Sequence, residues 1–236
     1  MATVQGRFTA ASRREQILTV ATRLFARRGF QGTTTKKIAQ HAGVTEALIF
    51  RHFPSKDHLY WAVIQSKIKG ASSPRERMLE RLKATGTDAD ILCGLAADIL
   101  ERRSKDQTLS RLLLYSALEN HRLSHRFFRT FVAGYYDILA DYIGRRVAEG
   151  TFRRVDPLLA ARGFLGMVIY HSWVQELFGG KLYQSFPVKQ VSRSLVDIWL
   201  QGMLRRPRSS NGIRSRNSNN GSHSPTQELK RAARNS

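Results

Sequence analysis

The sequence predicts an all-α protein, a small helix-turn-helix unit followed by a larger helical body. Apolar residues recur at spacings of three and four from Ser12 to about Arg205, and no convincing alternating strand interrupts them. The segment Thr33 to Lys56, TTTKKIAQHAGVTEALIFRHFPSK, joins two short helical patterns at a glycine, the arrangement that lays one helix in a DNA groove while the other supports it. The 236 residues far exceed what such a motif needs, so a second body with its own core is expected.

Ser12 and Glu15 have the spacing of a capping box, which opens a first helix carrying Ile17, Leu18, Ala21, Leu24 and Phe25 on one face until Gly29. The Thr33–Thr35 run supplies a hydroxyl to cap a second helix with Ile38, Ala39 and Ala42 inward. Gly43 permits positive φ at the turn. Thr45 caps a third helix whose inner positions are Ile49 and Phe53, and Pro54 ends it. Ser55 caps a fourth helix, with Asp57 in its first turn and Leu59, Trp61, Ala62, Ile64 and Ile68 following. Further helices are expected near 74–84, 88–104, 107–122, 124–149, 156–178 and 187–204, separated by polar, Gly or Pro breaks. The last stretch, 206–236, is rich in Ser, Asn, Gly and Arg and lacks core-forming residues, so it reads as a disordered basic tail.

Charge suits a polyanionic partner or an acidic membrane surface. Residues 1–69 hold twelve Lys and Arg against three acidic residues, and 205–236 hold eight against one, so the net +21 is concentrated at the two ends. Cys93 has no intrachain partner, the start has no apolar leader, and the apolar stretch Leu158 to Phe178 is broken by Arg162, His171, Gln175 and Glu176. A cytoplasmic protein without membrane attachment is expected.

With Ile49 and Phe53 inward, the helical period sends Glu46, Ala47, Leu48, Phe50, Arg51 and His52 around the exposed sides of the third helix. Exposed Leu48 and Phe50 suit thymine methyls and sugar edges in a major groove, and Arg51 suits guanine or phosphate. Thr45 and Lys56 stand at helix starts suited to phosphate oxygens, with Thr34, Thr35 and Lys36 beside them. Glu46 either accepts from a cytosine amino group or caps the helix and repels the backbone.

These residues resemble the TetR/AcrR family of bacterial regulators. The match runs from Ser12 to Ile68 through ILTVATRLFARRGF, TTTKKIAQHAGV and LIFRHFPSK, and more loosely through GTFRRVDPLLAARGFLGMV and LVDIWLQGM. The resemblance implies a helix-turn-helix DNA-binding domain over 11–71 and a helical ligand-binding and dimerisation domain over 72–205. It places Thr35, Thr45, Ala47, Leu48, Phe50, His52 and Lys56 on positions that contact operator DNA. Phe50 departs from the tyrosine of many members, whose hydroxyl bonds a phosphate.

The resemblance also implies a homodimer through the last two helices and a cavity among the middle ones. The helix near 156–178 carries more apolar surface than one face needs, and the helix near 187–204 adds Val188, Val191, Leu195, Ile198 and Trp199. Tyr115, His121, Phe131, Tyr135, Tyr170 and Trp173 combine apolar walls with hydrogen-bonding tips, and are candidates to line a site for an amphipathic or aromatic effector. His121 and His125 have a metal-binding spacing without a third ligand, so no metal is expected. Phosphate loops, His-Glu-x-x-His, paired Glu-x-x-His and nucleophile elbows are all absent from the sequence, which argues against an enzyme and against a cofactor.

The expected function is therefore a homodimeric, sequence-specific transcriptional regulator, a repressor released from a palindromic double-stranded DNA operator by a small molecule. The alternative from another class is an architectural protein that coats DNA without reading sequence.

Overall fold

The first helix, α1 (Ala10–Arg28), starts earlier than its Ser12 signal. Thr9 is its cap: the backbone there is extended, and its hydroxyl accepts from the Ser12 amide at 3.2 Å. Ser12 therefore lies inside the helix and caps nothing. The computed structural model describes residues 9–68, 74–119 and 122–204. The tail expected over 206–236 lies outside them.

Three helices follow α1 closely: α2 (Thr35–Ala42), α3 (Glu46–His52) and α4 (Lys56–Ile68). Helix α4 runs through the centre of this unit, with Leu59, Tyr60, Val63 and Ile64 fully buried. The Tyr60 ring meets Phe25 edge-on at 4.9 Å and Phe30 at 5.3 Å, so one aromatic trio fastens α4 to the end of α1.

The larger part comprises α5 (Pro74–Lys83), α6 (Asp88–Lys105), α7 (Thr108–Leu118), α8 (Arg122–Phe127), α9 (Ala133–Ala148), α10 (Pro157–Glu176) and α11 (Val188–Met203). Thr87 and Asp90 form a reciprocal capping box at the start of α6, and Asp156 followed by Pro157 starts α10. Trp199 of α11 meets Phe152 at 5.7 Å and Phe164 at 5.5 Å, and its indole donates to the Ala160 carbonyl at 3.2 Å. Among the described residues, a single antiparallel bridge joins Phe152 to Leu204.

Two expectations for the helices change. The helix expected to reach residue 122 ends at Leu118, and the one expected from 124 begins at Arg122 and contains a π turn at Phe128–Val132. Leu123, Phe127, Phe131 and Tyr135 follow one another at steps of four, wider than the turn of about 3.6 residues in an α-helix. A π turn takes up the excess and passes the helix from one core to the other. Leu123 and Phe127 belong to the first core with α1–α4, whereas Ile138, Leu139, Tyr142 and Ile143 belong to the second with α5, α6, α10 and α11.

Leu112 of α7 is also part of the first core. The four N-terminal helices thus complete their interior with side chains contributed from beyond residue 100. Among the described residues, no helix is long and apolar enough to cross a membrane.

Candidate nucleic-acid interface

The interface is built on the turn between α2 and α3. Gly43 sits at φ 61° and ψ 38°, with its amide bonded to the Gln40 carbonyl, while the Val44 amide reaches the Ala39 carbonyl. A Cβ at Gly43 would meet nothing within 4 Å, so the left-handed backbone, not crowding, is what calls for glycine there. Gln16 of α1 donates to the Ala42 carbonyl at 2.8 Å and holds the end of α2 from behind.

Thr34 caps α2 by accepting from the Lys37 amide at 3.2 Å, and Thr45 caps α3 by accepting from the Leu48 amide at 3.2 Å. The Thr35 hydroxyl donates to the Glu46 carboxylate. Glu46 therefore joins the start of α3 to the start of α2, a task the sequence alone did not separate from groove contact. Its charge also faces the positive end of α3.

Ile49 and Phe53 are buried at 1% and 3%, with the Arg14 guanidinium 4.9 Å above the Phe53 ring. That burial leaves Thr34, Lys36, Thr45, Ala47, Phe50 and Arg51 exposed, Phe50 at 43%. Thr35, Glu46, Leu48 and His52 are half-buried. Leu48, expected on the open face, is partly turned inward. His52 has its Nε2 closed to solvent without a hydrogen-bond partner.

Lys56 also differs from its expected placement at a phosphate. Its ammonium lies 4.1 Å over the Phe30 ring, and burial lowers its pKa against the opposing field of Glu119.

Behind the reading surface, α7 grips the end of α1 with a polar row that the sequence reading missed. Arg111 donates to the Ala26 carbonyl at 2.8 Å, and Tyr115 donates to the Arg27 carbonyl at 3.1 Å. The Glu119 carboxylate accepts from the Phe30 amide at 3.0 Å and the Gln31 amide at 3.2 Å. Arg111, Tyr115 and Glu119 stand four apart, one stripe of one helix, and that periodicity was the available signal. Carbonyls and amides left over at the end of α1 are thereby satisfied. Tyr60 adds a bond from α4 to the Leu112 carbonyl at 2.7 Å, and burial raises its pKa.

The candidate effector residues are spread over both cores. Tyr115 is engaged with α1, and Phe131 packs on Trp61 at 5.7 Å and Phe127 at 5.4 Å. Tyr135 lies against the second core, where burial raises its pKa. Tyr170 is 62% exposed, and the buried Trp173 indole nitrogen has no acceptor. His121 lies outside the described residues. A depression of about 510 Å³ between α9 and α10 is lined by Ala140, Gly144, Pro157 and Leu158 among others. A smaller one of about 250 Å³ is lined by His58, Trp61, Leu123 and Arg126. Neither is lined by any of the six candidates.

Residues 17–63 match the model of bacterial regulatory proteins of the tetR family. Residues 95–202 match the C-terminal domain of AefR-like transcriptional repressors. The chain belongs to the TetR family. Among relatives, the nucleoid occlusion factor SlmA of Vibrio atlanticus (strain LGP32) is 32% identical over 161 residues, covering 67% of this chain and 81% of that protein. SlmA of Vibrio cholerae serotype O1 is 31% identical over 160 residues, covering 66% and 80%. Among solved structures, NalD of Pseudomonas aeruginosa, the secondary repressor of the MexAB-OprM efflux pump, superposes with a TM-score of 0.64 at 20% identity, over 83% of this chain and 98% of NalD. FadR of Bacillus subtilis in complex with stearoyl-CoA gives 0.61 at 21% identity, over 80% and 98%. Both structures share the TetR fold with this all-α chain.

Proposed function

We propose that this TetR-family chain is a homodimeric, sequence-specific DNA-binding transcriptional regulator, a repressor released from a palindromic operator by a small molecule. The observation that carries the reading is the outer face of α3: Ala47, Phe50 and Arg51 exposed around a buried Ile49, flanked by Lys36 and the capping threonines. An apolar pair with a forked donor reads base edges, and the flanking groups reach the backbone. Thr34, Thr35, Thr45 and Lys56 supply the backbone contacts in this reading, Lys56 by leaving the Phe30 ring. Leu48 and His52 support the helix from its half-buried side, and Glu46 fixes its angle to α2.

Dimerisation is supported by two unpartnered stripes. On α10, Leu159, Gly163, Gly166 and Tyr170 are exposed at steps of four and three, and apart from the adjoining helix backbone a Cβ on either glycine would meet nothing within 4 Å. On α11, Ser194, Ile198 and Gly202 repeat the pattern at steps of four. Apolar residues among small ones let a second pair of helices approach closely, giving a four-helix contact about a twofold axis.

Binding of a small molecule draws support from the FadR complex with stearoyl-CoA; AibR was solved with isovaleryl coenzyme A and operator DNA together, so release itself rests on the test that follows. The direct test is competition binding in the presence and absence of effectors. A regulator prefers its palindrome to bulk DNA by roughly a thousandfold or more and loses that preference when an effector is added.

A second reading is favoured by the SlmA relatives, whose name places them in nucleoid occlusion. In it the dimer stays on its DNA sites and acts from there without release. A specific operator whose occupancy no effector changes would select this reading. Uniform affinity for all sequences would instead favour an architectural DNA-coating protein.

A further inference from the structure

The depression of about 250 Å³ opens where α4 meets α8, at the join between the two cores. His58 and Trp61 line it from α4, and Leu123 and Arg126 from α8, with Asp57 beside them. Trp61 and Leu123 are buried at 8% and 5%, and Phe131 backs the indole at 5.7 Å. The Arg126 guanidinium lies over the Trp61 ring, its carbon 4.1 Å from the ring centre. Stacking of this kind fixes the plane of the guanidinium and aims its fork of N–H donors, and the side chain is otherwise exposed. Among the described residues it has no carboxylate or carbonyl partner, so the fork is open to a ligand entering the depression.

His58 supplies a second donor. Its amide donates to Ser55 Oγ at 3.2 Å, and the same oxygen lies 2.8 Å from its Nδ1. The serine proton therefore goes to Nδ1, which leaves the N–H of the neutral imidazole on Nε2. Asp57 opposes these donors with one carboxylate, and that side chain has a partner of its own. Two donors above an apolar floor, in a chain of net charge +21, suit an anion with an apolar body rather than a cation. The volume limits its size. At about 30 Å³ per water the space holds about eight waters, enough for one ring with a carboxylate and too little for a long acyl chain.

We infer that this depression is the effector site and takes a small aromatic acid, its carboxylate on Arg126 and His58 and its ring against Leu123 and Trp61. The inference places and names the effector proposed above and rests on that reading. The two walls lead to different ends of the fold. Helix α4 carries Lys56 and follows α3 after residues 53–55, whereas α8 runs into the π turn that leads to the second core. A molecule lodged between them resets α4 against α8, and with it the pose of α3.

The full chain is tested with Arg126→Gln and Arg126→Lys by calorimetric titration with benzoate, salicylate and phenylacetate at constant ionic strength. Benzyl alcohol is the uncharged control, and inorganic phosphate is the anion without a ring. At least one acid should bind the parent about tenfold tighter, or more, than it binds Arg126→Gln, with Arg126→Lys between them for want of the fork. The same acid should weaken operator binding by the parent and leave that of Arg126→Gln as it is without acid. Benzyl alcohol should not distinguish the proteins, and phosphate should bind more weakly than the best acid. Acids that bind parent and Arg126→Gln alike, or no acid that binds the parent, overturn the inference. Phosphate binding as tight as that of every acid overturns it too, as does loss of the fold in both variants, which makes Arg126 structural. Acid binding that depends on Arg126 but leaves operator affinity unchanged upholds the acid site and refutes release by effector. Release of operator by acid or alcohol, equally in the parent and Arg126→Gln, upholds release and refutes this site.

Discussion

Gly29 leaves the space that the Glu119 carboxylate occupies, and a double-mutant cycle should expose the coupling between them. Gly29 sits at φ 71° and ψ −177°, a region essentially confined to glycine, and a Cβ there would fall 2.2 Å from Glu119 Oε1. Alanine at this position carries about 2 kcal/mol of backbone strain. It also drives Glu119 off the Phe30 and Gln31 amides. Two bonds to a charged acceptor, half exposed, are worth roughly 1 kcal/mol apiece in this setting.

Gly29→Ala should therefore destabilise by about 4 kcal/mol and Glu119→Ala by about 2. In the double variant the severe clash with the carboxylate is gone and only the Tyr115 ring, 3.0 Å away, remains beside the Cβ, so the loss should be about 4 kcal/mol rather than about 6, a coupling near 2. Urea unfolding of all four proteins at one protein concentration measures this. Additive losses, within about 0.5 kcal/mol, would show that α7 does not grip α1 through this carboxylate. Glu119→Ala should also weaken operator binding while leaving the dimer intact, because the loop it holds leads into α2.

Three further outcomes follow from the reading surface and the stripes. Arg51→Ala should cost about 1–3 kcal/mol on the preferred operator and much less on random DNA, measured by fluorescence anisotropy; equal losses on both would remove α3 as the reader. Lys36→Ala should weaken all sequences alike and reduce the slope of log affinity against log salt by about one unit, and an unchanged slope would take Lys36 off the phosphates. Ile198→Glu should give folded monomers in light scattering, since Ile198 is 60% exposed, and a dimer of unchanged mass would move the interface elsewhere.

Trp199 is unsuited to that last experiment, although the sequence period of α11 groups it with Ile198. It is 8% exposed and bonded within the chain, so charging it would break the second core whatever it did to the proposed interface. Periodicity assigns residues to an apolar side of a helix. It cannot divide that side between a core and an interface.

The helix-turn-helix was legible because each of its signals is local: threonine caps, a glycine turn and Pro54 act within four residues of themselves. Lys56, Glu46 and Leu48 were less so, since their positions depend on Phe30, on Thr35 and on how deeply α3 sits. Glu119 was hidden for a stronger reason. Its partners lie 88 and 89 residues away and are backbone amides, which carry no residue identity for a sequence pattern to reveal. The π turn was visible only as a spacing of four repeated three times, which an eye set to helical periodicity accepts as helix.

Selection of bound fragments from a random duplex library, followed by sequencing, tests the central claim most directly. A dimer reading DNA through paired α3 helices should enrich one palindrome whose half-sites are separated to suit the twofold axis, and Arg51→Ala should blur a defined position in each half. A bound pool no different in sequence from the starting library would contradict it.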